Sequence, residues 1–554
     1  MMSKKHKTLL LIIITSISFA NAQSVTNVGL YKTFERSIIN NNSYSNKFTD
    51  VDLTCTYISP SGKTINFYGF FDGDGLGGGD TLTGNVWKIR FLPEEAGKWK
   101  YKWKWSDATP GGEGTFFCDS KNAGKGVLRA YNENPRWFAY NGTEPVFLKS
   151  YYDSSMRPFA QPWDCVQNYY QTFIDNGYNH LQVNWLLPSV TGIDIADCSP
   201  PSLTKAIYEE KGKASSTMNL DVWNKMEVLL SWLNDKNVNL FMFLGFDGGR
   251  NGKPQAWASL SEKEQDFLVR YVVARIAPYS NIMWNYVWEV EGNTENGELG
   301  CMRLVQKYDV FNHLRTYEDE KPNSHEWNRP EYTFAGTENH RIHSDNREPE
   351  FWAAPWTHHE ACLMSYVQGK PVYMVEGNAL WRHYWAATLI RKSNHILTQS
   401  DVRQSAWGCA TAASSFTWCG HTSLSFKGSE GIPFFDGQDN PYRSASKSID
   451  ILNHIMNNEV VFHRMTPQDS LLSGNNKHDV WCLAEPGQQY LVFSTNDQPF
   501  KLKLSKGKYN NNKWVNSMTG ESINVPALTA SKDEIVPFTQ PNPTIDWVLL
   551  IRKD

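Results

Sequence analysis

Arg275-Ile-Ala-Pro-Tyr-Ser-Asn-Ile-Met-Trp-Asn-Tyr-Val-Trp-Glu289 reads as the end of a helix, a short turn, and a buried strand that closes on a carboxylate. The run before it, 262–277, has helical spacing, whereas 282–286 is a short, nearly continuous apolar run of the kind found in parallel sheets covered on both faces. The same unit recurs on both sides. Short apolar strands are predicted at 146–149, 180–183, 240–244, 333–335, 372–375 and 415–418, with helices at 163–176 and 222–236 between them. Repetition of strand and helix across 133–464 predicts a (β/α)8 TIM barrel, whose chemistry sits at the C-terminal ends of its strands. A doubly wound sheet is the alternative, but it wants a glycine-rich phosphate turn after its first strand, and none is there.

The flanks have a different texture. Residues 51–57, 64–71, 86–92 and 99–105 alternate apolar and polar with Gly, Pro and Asp between runs, which predicts an antiparallel β-sandwich over 23–132. Alternation returns in 490–493, 500–504 and 547–551, so a second all-β domain is expected over 465–554.

Composition narrows the function classes. The chain has 554 residues, 40% of them apolar and 20% charged, which excludes disorder, collagen and coiled coil as the dominant state. A formal charge of −4 argues against a nucleic-acid partner, which would need a dense cationic face. The 22 Trp suit a protein that meets flat ligands with polar edges, such as sugar rings, although most aromatics are core. Lys4, Lys5 and Lys7 precede an apolar run to Phe19, and Ala20-Asn-Ala22 has the form of a signal-peptidase site, so 1–22 reads as a signal peptide and the protein as exported, secreted or periplasmic. No later run is long enough to span a bilayer. The nine Cys lack CxxC spacing, so zinc ribbons are not expected and most are read as buried free thiols.

Phe67-Tyr-Gly-Phe-Phe-Asp-Gly-Asp74, Arg90-Phe-Leu-Pro-Glu-Glu-Ala-Gly-Lys-Trp99 and Gly124-Lys-Gly126 resemble the small domain of unknown function that precedes many bacterial glycoside hydrolases. The 275–289 stretch resembles the fourth-strand signature of the large clan of retaining (β/α)8 glycosidases, and Gly369-Lys-Pro-Val-Tyr-Met-Val-Glu376-Gly-Asn378 resembles its seventh strand. Arg403 to His421 resembles the last helix and strand of apiosidase-like hydrolases. Ala484–Tyr490 with Trp514–Gly520 resembles a C-terminal β domain labelled as collagen-binding in secreted bacterial hydrolases; collagen itself is not carried over.

The resemblance implies a retaining hydrolase of poly- or oligosaccharides, with Glu289 as acid/base, Glu376 as nucleophile and no cofactor or metal. Two carboxyls are wanted because one protonates the leaving oxygen while the other captures the oxocarbenium-like centre, at a separation of about 5–5.5 Å. Trp288 stands where the clan has Asn, and Glu291 shares the Glu289 face of an extended strand, so a two-residue register shift makes Glu291 the acid instead. Candidate sugar contacts are Tyr152 and Asp153 after strand one, Asn184 and Trp185 after strand two, His340 and His343 after strand six, and Trp356, Trp381 and Arg382 around strand seven. Two alternatives stand beside this reading: a glycan-binding or adhesion protein built on an inactive barrel, which Trp288 favours, and a polysaccharide lyase.

The GxGxxG at 73–78 lies between two strands and lacks the helix N-terminus a phosphate needs. His358-His-Glu360 puts three metal-binding types in a row, but neighbouring side chains diverge and seldom hold one ion. GxSxG and HExxH are both missing, which leaves serine esterase and zincin readings without support.

Overall fold

The computed structural model describes residues 26–153, 163–183, 218–244, 261–286, 298–319, 322, 325–339, 354–377, 398–418, 441–495 and 498–553. Its centre is one sheet of nine parallel segments in the spatial order Arg315–Thr316, Ile282–Asn285, Asn239–Phe243, His180–Val183, Lys149–Asp153, Ser414–Trp418, Val372–Met374, Ala335–Thr337, Glu318–Asp319. The two segments at the ends of this order are consecutive in the chain and separated by Tyr317 alone, so the sheet curls into a nearly closed barrel. Taken in chain order, strand one is Lys149–Asp153 and strand eight is Ser414–Trp418, and these two pair with each other. Strand five consists of the two segments around Tyr317.

Strand one departs from the sequence expectation. The apolar run 146–148 is not part of it: Val146 donates to the Phe138 carbonyl, and parallel pairing begins at Ser150 opposite His180. Tyr152 and Asp153, expected after the strand, are its last two residues. Strand five was not expected at all, because Arg-Thr-Tyr-Glu-Asp has no apolar run. Strand six lies at Ala335–Thr337 and not at 333–335.

The helices begin where the sequence supplies caps. Ser261 and Glu264 form a reciprocal capping box on Glu262–Ile276, Thr398 and Asp401 do the same for Gln399–Thr411, and Asn219 caps Leu220–Asp235. Each satisfies amide donors that the first turn leaves open.

The barrel interior is apolar below and polar above. Phe241, Met283, Phe334 and Tyr373 form a buried cluster with Leu128, Phe138 and Tyr140. The latter three come from a small sheet, Leu128–Ala130, Phe138–Tyr140 and Glu144–Pro145. The Tyr140 hydroxyl accepts from Asn239, the first residue of strand three, at 2.7 Å, so this sheet closes the N-terminal end of the barrel. The open mouth is therefore the opposite end, at the C-termini of the strands.

The N-terminal region has a five-stranded and a three-stranded sheet. They face each other through Tyr57 stacked on Phe91 at 4.1 Å and Trp87 edge-on to Trp105 at 5.2 Å. One pairing, Thr26–Gly29 with Gly112–Asp119, is parallel and departs from the expected antiparallel pattern. This region meets the barrel through buried charge. Glu227 accepts from Arg90 at 2.7 Å and from Arg275 at 2.5 Å, and Asp72 pairs with Arg275 at 2.7 Å and Lys88 at 2.8 Å; at the exposed edge Glu35 closes on Arg90 at 2.5 Å. Burial alone would raise the Glu227 carboxyl, but the Arg275 and Arg90 guanidiniums together bring it down to about 2.

The C-terminal region has a six-stranded, a three-stranded and a two-stranded sheet. It seats on the barrel helices through Trp407 stacked on Phe493 at 5.6 Å, His359 on Trp481 at 5.0 Å, and the buried Arg403–Asp546 pair at 2.7 Å. One apolar core runs through all three regions. The six cysteines whose side chains are described, Cys55, Cys118, Cys301, Cys362, Cys409 and Cys482, are buried free thiols, as expected. In helix Pro355–Tyr366, His359 reaches Asp469 at 2.8 Å, and His358 lies beside Asn339.

Candidate active site

Alternation along the strands sorts side chains into layers. In the middle layer, His180 of strand two meets Ser150 at 2.8 Å and the Tyr373 hydroxyl at 3.0 Å, and its other nitrogen faces the Met283 sulfur at 3.3 Å. With no charge beside it, burial pushes this imidazole down to about 3, so it is neutral throughout the working range. Two residues further along each strand the layer becomes polar. Gln182 from strand two and Asn285 from strand four each donate to the same oxygen, Oε1 of Glu318 on strand five, at 2.7 Å. Glu318 is 1% exposed and Glu338, at the end of strand six, 0%.

Glu376 reaches this layer through a break in the ladder. The Val375 amide donates to the Thr337 carbonyl of strand six at 3.1 Å, as the register requires. On the other side Met374 pairs with Phe416, so an unbroken strand would bring the Glu376 amide to the Thr417 carbonyl. The amide that arrives there, at 2.9 Å, is that of Gly377. This one-residue slip is a β-bulge. Without it Glu376 would share the outward face of Met374; with it the carboxyl turns toward the interior, where its charge acts on Glu318. Only glycine fits at 377, because a Cβ there would lie 2.3 Å from the Thr417 carbonyl oxygen and 2.4 Å from the Phe416 ring.

Carboxyls from strands five, six and seven thus meet at the mouth, those of Glu318 and Glu338 buried and that of Glu376 partly exposed. Burial first, and then the charges of Glu338 and Glu376, hold the Glu318 carboxyl well above the usual carboxylate range, against the lowering effect of the Asn285 amide. Among the described residues no Lys or Arg donates to Glu318. A buried acid held above its usual range at the C-terminal mouth of a barrel is a functional arrangement more often than a structural one.

Of the sequence-selected residues, Glu376 is in this cluster. Tyr152 is buried in the barrel with its ring 6.1 Å from Phe243, and Asp153 ends strand one opposite Val183. Trp356 lies in the first turn of its helix with its ring stacked on His478 of the C-terminal region, 4.2 Å away and 9° from parallel. Glu289, Glu291, Asn184, Trp185, His340, His343, Trp381 and Arg382 lie outside the described residues. The structure brings to Glu376 four residues that sequence reasoning gave no role: Gln182, Asn285, Glu318 and Glu338. For Gln182 and Asn285 the signal was present, as polar residues inside short strands that parallel burial should make wholly apolar; for Glu318 it was not, because strand five has no apolar run.

Residues 27–106 match a family described as a domain of unknown function, DUF5060. No curated protein sequence matches the chain. A crystal structure of a candidate glycoside hydrolase from Bacteroides vulgatus ATCC 8482 aligns over 95% of this chain and 100% of its own, with a TM-score of 0.70 at 15% identity. The fold is one shared with glycoside hydrolases. A glycoside hydrolase family 5 structure from the same organism covers 77% of this chain and 94% of its own, with a TM-score of 0.58 at 18% identity. A further structure described as a glycoside hydrolase covers 78% of this chain and 98% of its own, with a TM-score of 0.57 at 16% identity. At such identities the similarity speaks for architecture, and the chemistry has to be argued from the carboxyls themselves. Among the described residues no helix is long and apolar enough to cross a membrane.

Proposed function

We propose that the protein is an exported glycoside hydrolase cleaving a poly- or oligosaccharide at the C-terminal mouth of a (β/α)8 barrel, by a retaining, two-carboxylate mechanism of the apiosidase-like type. On this reading 1–22 is a signal peptide, 23–132 and 465–554 are β-sandwich domains, and 133–464 is the catalytic barrel. The observation that carries it is the inward-turned Glu376: a glycine-dependent bulge aims a carboxyl into a mouth that already holds two others.

The chemistry follows from the residue types. The carboxyl of Glu289 gives its proton to the glycosidic oxygen as the bond from that oxygen to the anomeric carbon breaks, and a carboxylate oxygen of Glu376 bonds to the anomeric carbon. Glu289, now ionised, takes a proton from water; the water oxygen attacks the same carbon and the ester to Glu376 breaks. Glu291 is the alternative acid. No cofactor enters this sequence. Tyr152, Asp153, Asn184, Trp185, His340, His343, Trp381 and Arg382 are the proposed sugar contacts; Trp356, stacked on His478, is assigned instead to the seat of the C-terminal domain.

A screen of oligosaccharides and polysaccharides, with mass analysis of products, tests this reading. Wild type should release sugars from at least one glycan and Glu376→Gln should not. Retained glycan binding without turnover in both proteins would support the inactive-barrel reading, for which Trp288 is the specific observation. An unsaturated, ultraviolet-absorbing product would identify a lyase.

A further inference from the structure

One face of the five-stranded N-terminal sheet packs on the three-stranded sheet, and the other carries a row of lysines that neither the fold nor the mechanism above uses. Strand Gly97–Trp105 alternates strictly. Trp99, Tyr101 and Trp105 are buried and Trp103 is half-buried, whereas Lys98, Lys100, Lys102 and Lys104 stand exposed on the opposite side. The row is about 20 Å long with neighbours about 7 Å apart. That spacing is inside the Debye length of about 8 Å at physiological salt, so the four charges repel one another.

The fold supplies little to balance them. Phe117, Thr115 and Glu113 lie directly opposite Lys98, Lys100 and Lys102 on one neighbouring strand, and Ile58, Thr56 and Thr54 opposite Lys100, Lys102 and Lys104 on the other. Glu113 is the one acid among them, and among the described residues none of the four lysines makes an ion pair. In the C-terminal strand Phe500–Leu504, where Lys501 and Lys503 also alternate, Lys503 has Asp533 at 3.5 Å. Lysines commonly guard an edge strand against unwanted pairing, but Gly97–Trp105 is the middle strand of its five and has no free edge to guard. A middle strand with like charges at every second outward position, and almost no opposite charge across from them, forgoes the cross-strand pairs that stabilise sheets.

We propose that this face is a binding site for an acidic polysaccharide, a sugar chain bearing anionic groups at intervals, which supplies the charge that the flanking strands lack. The length of the row suits a polymer and not a single sugar. Beside the ammonium groups stand hydroxyls and an amide for the sugar hydroxyls: Thr54, Thr115, and Thr56, which donates to Asn66 at 2.7 Å on the same face. Phe117, 44% exposed and opposite Lys98, offers a flat apolar surface on which a sugar ring can lie. A nucleic acid wants a dense cationic field, and this is a single row on a chain whose formal charge is −4. A lipid surface wants apolar side chains to insert, and on the three central strands this face exposes two, Ile58 and Phe117. The proposal rests on the carbohydrate reading of the chain for the class of its ligand, and it makes the N-terminal sheets an anchor for an acidic glycan on which the barrel acts.

Binding of labelled polygalacturonate, chondroitin sulfate and neutral dextran to the full chain carrying Glu376→Gln, which leaves the polymers intact, tests it. At least one acidic polymer should bind, more weakly as salt is raised, and dextran should not. Lys98→Gln, Lys100→Gln, Lys102→Gln and Lys104→Gln combined should raise the half-saturation point at least about tenfold and flatten its salt dependence. Lys501→Gln, Lys503→Gln, Lys506→Gln and Lys508→Gln combined change the net charge equally on exposed positions of the C-terminal region and should shift it less than about twofold. Phe117→Ser should weaken binding a few-fold with every charge in place. A melting temperature of the first quadruple variant equal to or above that of its parent shows that the fold is kept.

Equal losses in the two quadruple variants, or failure of both acidic polymers to bind, would overturn the proposal. So would half-saturation by phosphatidylglycerol vesicles or duplex DNA at the same or lower charge concentration. If the wild type cleaves no glycan, the catalytic reading fails while these measurements still decide what the lysine row binds.

Discussion

Two regions of this molecule bury charged side chains, and they do so in opposite ways. At the seam between the N-terminal sheets and the barrel, the buried Asp72 and Glu227, with Glu35 at the exposed edge, meet Lys88, Arg90 and Arg275 in alternation, each acid within 2.8 Å of a base. At the barrel mouth, Glu318, Glu338 and Glu376 converge, and among the described residues the side-chain donors to Glu318 are the amides of Gln182 and Asn285. The outcome for the acids is opposite as well: Glu227 is brought down to about 2, whereas Glu318 is pushed well above the ordinary range. Pairing serves docking at the seam. At the mouth, burial and the neighbouring acids favour the protonated form of Glu318, the kind of perturbed group that clusters at functional sites.

The strongest way to break the comparison is to unbalance the seam. Glu227→Leu leaves Arg90 and Arg275 buried without their shared partner and should cost about 3–5 kcal/mol in denaturant unfolding. Glu376→Gln should do the reverse, cutting turnover of a cleaved glycan by about 10²–10⁴-fold while leaving the melting temperature unchanged or higher. Comparable losses of stability in both variants would erase the distinction.

Acid titration sharpens it. His180 has a folded value of about 3 against an ordinary 6.5, so the unfolded chain binds the proton first; its contribution is complete above about 6.5 and is lost as pH falls toward 3. Glu227, at about 2 against 4.5, contributes fully above 4.5 and loses its contribution as pH falls through 2. Melting temperature should therefore decline in two stages, and His180→Gln should remove the upper one alone. The smallest effect belongs to the C-terminal seat: His359→Gln gives up the contact to the partly exposed Asp469 and should cost about 1 kcal/mol with turnover intact.

Most of the fold was legible because its signals are apolar. The runs at 180–183, 240–244 and 282–286 read as buried strands, and the helical spacing of 222–236 and 262–277 placed the helices between them. Strand five was illegible for the same reason that it matters: Arg315-Thr-Tyr-Glu-Asp319 gives its inward position to a carboxyl, so hydropathy reads it as a loop. Strand one was misplaced because Val146-Phe-Leu is apolar for the barrel floor and not for the sheet. Glu376 was legible from its strand-end position, but the bulge that aims it depends on the contact of Gly377 with strand eight, which lies forty residues on in the sequence and leaves no local mark. The seam was misread in part: Arg90 and Arg275 were noted as marks of two resemblances, and the structure shows them bound to one carboxylate.

The central claim is that Glu376 is the nucleophile, and one measurement addresses it directly. A 2-deoxy-2-fluoro glycoside of the sugar that the glycan screen identifies, incubated with the wild type and followed by peptide mapping, should leave one glycosyl adduct on the peptide carrying Glu376 and stop turnover in proportion to its formation. An adduct on Glu338 or Glu289, or release of the inverted anomer as first product with no adduct formed, would contradict it.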